Sequence, residues 1–308
     1  MSGDLPAEVQ ALLEERANAR AQRDWATADA LRDRLRELGW EAIDAPHGSN
    51  ARPLLASAER GAGYADDQEL ASLLDEPASI PASLVAVLDD YPDDLARLAD
   101  GLRRHTQPIE HELLVVANAP AHGTDGLPMA AGEATVLSVR QRLGWADAAN
   151  LGLRRAHGSI VVLLDTSIEP SGDFTTPLLA AFDDPQVGLA GPWGVTSGDG
   201  REFSDAPPGE VDAIESYCLA IRREVLRAAG LFDHHFRFYR NADLDFSFQA
   251  RAAGWRAIAV ADLPLRRHEH RGYAALPPSE RERLSKRNFY RFLKHWGDRR
   301  DLLLHREG

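Results

Sequence analysis

The chain has a single cysteine, Cys218, so it forms no internal disulfide and no cysteine-based zinc site. The expected place of that residue is a small core position on a strand. Long apolar runs are missing too: none reaches the length of a membrane span, and the opening residues carry no signal-peptide pattern. A soluble, cytoplasmic protein is the expectation. Positive charge is scarce, with 35 Lys and Arg against 48 Asp and Glu and a net charge of −13. General nucleic-acid binding needs a positive surface and is not expected here. The deficit is uneven, because residues 281–308 hold nine Lys/Arg and only four Asp/Glu.

What remains is ample for a folded enzyme or binding module. With 308 residues, 44% of them hydrophobic, the chain can form one large domain and an appendage. Residues 1–48 read as a helical hairpin. Val9, Leu12 and Leu13 form one stripe; Ala28, Leu31, Leu35 and Leu38 form another, with Asp24 as N-cap and Gly39 as stop. Two helices this short bury little alone and call for a partner surface. Residues 49–80, rich in Pro, Gly, Ser and Ala, read as a linker with room for a short helix near 68–74.

An α/β domain over 81–275 follows. Leu84–Leu88 and Glu112–Val116 are buried strands, separated by a helix that starts at Pro92, and a third strand lies near 134–139. Alternation of strand and helix implies a mainly parallel sheet. The stretch 143–170 is the most informative. Ala149, Leu153 and Ala156 recur at helical spacing over 146–156, His157-Gly158 closes the helix, and Ser159–Leu164 is a continuous apolar run. Asp165 then stands at the carboxyl end of that strand, the edge where open α/β sheets bind ligands. Its carboxylate suits a hard cation on a diphosphate, or caps the following turn through Ser167 and Ser171. A loop over 192–208 has the size of an active-site flap, and Trp193 within it stacks on a sugar or base or else belongs to the core. Residues 276–308 carry an amphipathic helix. Phe289, Phe292, Leu293 and Trp296 share one face, which packs on the domain or docks, over 282–296, on an anionic membrane.

Several of these stretches carry a resemblance. Gly144…Ala149-Asn150-x-Gly152…Ala156-x-Gly158…Leu164-Asp165, together with Gly230-Leu231-Phe232-Asp233…Tyr239…Asp243-Leu244-Asp245 and Ala253-Gly254-Trp255, resembles the motif series of family 2 glycosyltransferases with the GT-A fold. The likeness runs from about residue 83 to residue 296. It implies a nucleotide-sugar-binding sheet and an inverting transfer from a nucleotide diphosphate sugar to a carbohydrate or lipid-linked hydroxyl. Members acting on surface polysaccharide or glycolipid are the ones whose motifs look most similar. It further implies that Asp165 holds Mg²⁺ or Mn²⁺ with the donor diphosphate, that Asp243 is the general base, and that His268, or failing it His270, assists the metal. Asp89, Asn118 and Asn150 fall on the nucleotide-binding motifs. Arg267 is available to neutralise phosphate.

Three positions depart from the family pattern: Ser167 replaces the second acid of D-x-D, Ala117 the base-reading Asp, and Ala242 the Glu before the base. A degenerate scaffold that binds a sugar or a protein is therefore the rival reading. A second resemblance covers the first residues. Arg20, Asp24, Ala28-Asp29, Arg32-Asp33, Leu35, Gly39, Asp44 and Gly48 look like the C-terminal helical element of cysteinyl-tRNA synthetases. That likeness implies a tRNA-linked role, which six Arg against ten acidic residues over 1–50 oppose.

Overall fold

The computed structural model describes residues 6–22, 24–37, 40–45, 48–53, 63–106, 108–119 and 134–304. Two compact units divide the chain, residues 1–61 and 62–308.

In the first unit, α1 (Ala7–Ala21) and α2 (Trp25–Glu37) form the expected hairpin. Val9, Leu13 and Leu35 make its small core. Asp24 caps α2, accepting from Thr27 N at 3.1 Å and Thr27 Oγ1 at 2.7 Å. The hairpin does not stand alone. Strands β1 (Trp40–Ala45) and β2 (Gly48–Pro53) pair antiparallel from Ala45↔Gly48 outward, so the unit continues into residues expected to be linker. Leu38 and Gly39 lie outside the described residues.

Residues from 63 onward belong to the second unit, which corrects the rest of the linker assignment. Tyr64 bridges to Val139, and Leu73 N donates to Arg154 O at 2.8 Å. The expected short helix is one 3-10 turn, Asp67–Glu69.

This unit alternates β3 (Ile80–Leu88), α3 (Pro92–His105), β4 (His111–Ala117), β5 (Thr135–Ser138), α4 (Trp145–Arg155) and β6 (Gly158–Leu164). Then come β7 (Ile168–Pro170), α5 (Thr175–Ala180), β8 (Val187–Gly191), β9 (Gly194–Thr196), β10 (Ser204–Asp205), β11 (Gly209–Val211) and β12 (Ala213–Ile214). The chain closes with β13 (Cys218–Arg222), α6 (Arg223–Ala228), α7 (Ala242–Ala252), β14 (Arg256–Ala259), β15 (Leu265–Arg267), α8 (Arg271–Ala274) and α9 (Pro278–Trp296). Eight strands form the central sheet in the order β11-β14-β8-β13-β6-β3-β4-β5. It is mostly parallel, with β13 antiparallel to both β6 and β8 and the edge strand β11 antiparallel to β14. The flap expected over 192–208 is partly ordered into β9 and β10.

Strand pleating divides the core into two layers. Val85, Val161 and Leu163 face α4, α6 and α7; Leu84, Ala86, Val162 and Leu164 face α3 and α5. Both faces are covered, which explains the continuous apolar runs of β3 and β6. Cys218 is fully buried in the second layer, as expected. The apolar face of α9 packs through Phe289, Phe292, Leu293 and Trp296 on Leu244 and Phe248 of α7. None of the described helices is long and apolar enough to cross a membrane.

Candidate active site

The carboxyl ends of β3 and β6 open into a cleft of about 400 Å³. Asp89, Asp90, Tyr91, Arg142, Asp165, Tyr239, His270 and Arg271 are among its walls. Parallel neighbours β3 and β6 end together, so Asp89 and Asp165 reach the same rim.

Asp165 is held tightly. Its Oδ1 accepts from Ser167 N at 2.8 Å and Ser167 Oγ at 2.5 Å, while Oδ2 lies 3.4 Å from His270 Nε2. Burial alone would raise this carboxyl, but the hydrogen bonds from His270 and Ser167, with the imidazole charge, keep it below the ordinary carboxylate value. His270 caps α8: its Nδ1 accepts from Tyr273 N at 3.0 Å. The proton of the neutral ring therefore sits on Nε2, the nitrogen that faces Asp165. Burial pulls the imidazole down, yet Asp165 and the more distant Asp89 leave it above its ordinary value. The ring of Tyr239 stacks on it at 4.4 Å and 6°.

At the other end of the cleft, Asn118 Nδ2 donates to Asp89 Oδ1 at 2.6 Å, and Asn118 Oδ1 accepts from Leu143 N at 2.8 Å. The amide thus ties the end of β4 to the loop before α4 and orients Asp89. Arg142 donates to Asp89 O at 2.7 Å and Asp90 Oδ2 at 2.6 Å. Tyr91 holds a left-handed backbone, φ 60°, at the turn from β3 into α3.

Asp243 does not line this cleft. It is the second residue of α7, whose N-cap Asn241 has φ 65°, and it accepts from Ser216 N at 2.9 Å and Leu244 N at 3.0 Å. Burial raises its carboxyl against those donors and Arg240. The neighbouring Glu215 is raised as well, by burial and then by the charge of Asp243. Arg267 donates to Glu215 at 3.0 Å and lies over the rings of Tyr217, at 4.5 Å, and Trp193, at 5.5 Å. Tyr217 joins the two regions: its hydroxyl meets that of Tyr239, and its main-chain oxygen accepts from Asp165 N at 3.0 Å.

So Asp89, Asn118 and Asp165 converge on the cleft, while Trp193, Arg267 and Asp243 gather on its flank. Two candidates fall elsewhere. His268 bonds Glu169 at 2.7 Å instead of reaching Asp165. Strands β15 and β7 pair with Arg266 opposite Glu169, and His268 has the parity of Arg266, which turns it the same way. Its place beside Asp165 is taken by His270. Asn150 is 3% exposed and clasps the backbone of Phe232, donating to its oxygen at 2.9 Å and accepting from its nitrogen at 3.0 Å. Both polar ends are used, so the side chain fixes a loop. Asp245 is also internal, bonded to His295 and Trp296. Arg142 escaped the sequence reading because no periodicity or spacing separates it from surface residues.

A single oxygen donor, Asp165 Oδ2, and an imidazole nitrogen 3.4 Å away face one space. That separation suits two ligands of one divalent ion completed by a donor's phosphates, once the ring proton moves from Nε2 to Nδ1 and the bond from Tyr273 N is released.

The family model described as glycosyl transferase family 2 matches residues 92–246. The cysteinyl-tRNA ligase anticodon binding domain matches residues 2–40. Cysteine–tRNA ligase 1 of Burkholderia lata is 53% identical over 45 residues, 15% of this chain and 10% of its own length. The corresponding enzyme of Cutibacterium acnes is 57% identical over 42 residues, 14% of this chain and 9% of that one. The matched segment is about a tenth of the length of these relatives. Among solved structures, GalNAc-T7 with UDP, GalNAc and Mn²⁺ superposes with a TM-score of 0.61 at 16% identity, covering 72% of this chain and 50% of that chain. The likeness shows the fold, the GT-A arrangement of a mostly parallel sheet flanked by helices.

Proposed function

Because the chain belongs to glycosyl transferase family 2, we propose that it moves a sugar from a nucleotide diphosphate sugar to the hydroxyl of a carbohydrate or lipid-linked acceptor, with inversion. The observation that carries this reading is the meeting of Asp89 and Asp165 in one cleft at the carboxyl edge of the sheet.

Asp89, oriented by Asn118 and flanked by Arg142, holds the nucleoside end of the donor. Asp165 and His270 would hold Mn²⁺ or Mg²⁺ against the diphosphate, where the ion neutralises the leaving group; Mn²⁺ is favoured because one of the two protein ligands is nitrogen. Arg237 and Arg271, also on the cleft wall, add positive charge for the phosphates. Asp243 takes the proton of the acceptor hydroxyl as its oxygen bonds the anomeric carbon and the bond to the diphosphate oxygen breaks. Its raised affinity for protons suits that task, and the aromatic and cationic pair Trp193 and Arg267 stands where an acceptor would lie beside it.

Calorimetric titration with a panel of nucleoside diphosphates, with and without Mn²⁺, tests the donor site. One nucleotide is expected to bind wild type in a Mn²⁺-dependent way, and Asp165→Ala is expected to abolish that dependence. A folded wild type that binds none would leave the degenerate scaffold as the better account.

A second reading attaches to the first unit alone, on the strength of its match to an anticodon-binding domain over residues 2–40. It would contact tRNA. Six Arg against ten acidic residues over 1–50 oppose this, and a tRNA gel shift at moderate salt is expected to show no complex.

A further inference from the structure

We propose that Asp233, His234 and His235 form a binding site for a borderline transition metal such as Zn²⁺, separate from the donor cleft. The Oδ1 of Asp233 lies 2.8 Å from His235 Nδ1 and 3.7 Å from His234 Nδ1, and one ligand atom from each residue falls within 4.8 Å of the others. Two ligands about 2.1 Å from a tetrahedral ion stand roughly 3.4 Å apart, so these separations bracket what one Zn²⁺ requires. Two imidazoles and one carboxylate favour Zn²⁺, Co²⁺ or Ni²⁺ over the oxygen-seeking Mg²⁺.

The turn that carries them is fixed before any metal arrives. Phe232 and Phe236 are buried on either side of it, at 4% and 1% exposure. Asn150 clasps the backbone of Phe232, and Phe236 N donates to Asp233 O at 2.9 Å. Arg291 Nε donates to the other carboxylate oxygen of Asp233 at 2.7 Å and sets its plane, the outer support that metal ligands commonly have. His234 and His235 are 71% and 52% exposed and line a groove of about 730 Å³, so solvent metal reaches them. On binding, the ion replaces the proton that His235 Nδ1 shares with Asp233. The position left open faces the groove, where Arg237, Arg287 and Lys294 would favour water or an anionic group as fourth ligand.

The test uses the full chain, stripped of metal with a chelator and titrated with Zn²⁺ by calorimetry and with Co²⁺ by visible absorption. Wild type and Asp165→Ala are each expected to take up about one tightly bound ion per chain, with the intense visible bands of low-coordinate Co²⁺. The double variant His234→Ala/His235→Ala is expected to lose both signals. His235→Asn, which keeps a polar side chain on the turn, is expected to lose them too, while melting without metal at the wild-type temperature. Uptake that survives both histidine variants, uptake lost in Asp165→Ala, or no saturable uptake by wild type would each overturn the proposal.

Discussion

Replacement of Arg223 should be among the costliest single changes in the larger unit. This arginine is 2% exposed, and all its hydrogen bonds run to main-chain oxygens. Nε donates to Leu74 at 3.2 Å; Nη1 donates to Ala156 at 2.6 Å and Gly158 at 3.3 Å; Nη2 donates to Leu73 and, at 3.3 Å, to Glu76. The residue thereby staples the segment entering β3 to the turn between α4 and β6, the two strands that end at Asp89 and Asp165. In Arg223→Ala, water can reach Leu73 and Glu76, but the inner carbonyls of Leu74, Ala156 and Gly158 lose a charged donor. Leu74 keeps its bond from Arg227, so at about 1–1.5 kcal/mol for each of the other two inner acceptors the loss is about 2–3 kcal/mol. Arg223→Lys offers donors from one point and cannot span the fork, so it should recover about half. The neighbouring Arg227 bonds Leu74 and Glu76 from the surface, and Arg227→Ala should cost about 1 kcal/mol or less. Urea unfolding followed by tryptophan fluorescence measures the differences, read on the transition of the larger unit. An Arg223→Ala midpoint matching that of Arg227→Ala would refute the argument that these inner acceptors depend on the guanidinium.

Other expectations follow from the same contacts. A Cβ at Gly152 would overlap Val85 Cγ1 and lie 3.2 Å from Val116 Cγ2, both on stiff β-branched side chains, so Gly152→Ala should destabilise by about 1–3 kcal/mol in the same unfolding assay. Asp173 Oδ1 accepts from Thr176 N at 3.1 Å and Thr175 Oγ1 at 2.9 Å. Burial would raise that carboxyl, but the bonds from Thr176 and Thr175 leave it below the ordinary value of about 3.9. Since the folded form is the weaker proton binder, the contribution of the carboxylate is complete above pH ~3.9 and fades as pH falls through the lower folded value. Asp173→Ala should therefore lose about 1 kcal/mol near neutrality, with the gap to wild type closing in stronger acid. His270→Ala should weaken Mn²⁺-dependent nucleotide binding in calorimetry, whereas His268→Ala should leave it unchanged because His268 is engaged by Glu169.

The strands that build the cleft are legible in the sequence because both their faces are covered. A run such as Ser159–Leu164 has no polar interruption, and the acid after it must emerge at a strand end. The hairpin helices are legible for the opposite reason, since their apolar residues fall on one face. Other features depend on long-range pairing that no local pattern records. β13 reads as a strand, but its antiparallel insertion between β6 and β8 is decided by partners far along the chain. Strand β1 falls in the stretch read as helical hairpin, and β2, β9 and β10, short or polar, read as linker and loop. The two misplaced candidates share a cause. Asn150 and His268 have the right chemistry, but the face of α4 and the register of β15 direct them to Phe232 and Glu169. His270 reaches Asp165 because it leaves the strand and caps the next helix. No spacing rule distinguishes it from His268.

The role proposed for Asp243 is to take the acceptor proton. Its most direct test is release of nucleoside diphosphate from the sugar donor selected by the binding panel, measured for wild type and Asp243→Asn, with donor affinity measured in parallel. Donor affinity is expected to be unchanged in Asp243→Asn and turnover lower by about 10²–10⁴-fold. Turnover within a few-fold of wild type, at equal affinity, would contradict it and move the search for the base to Glu215.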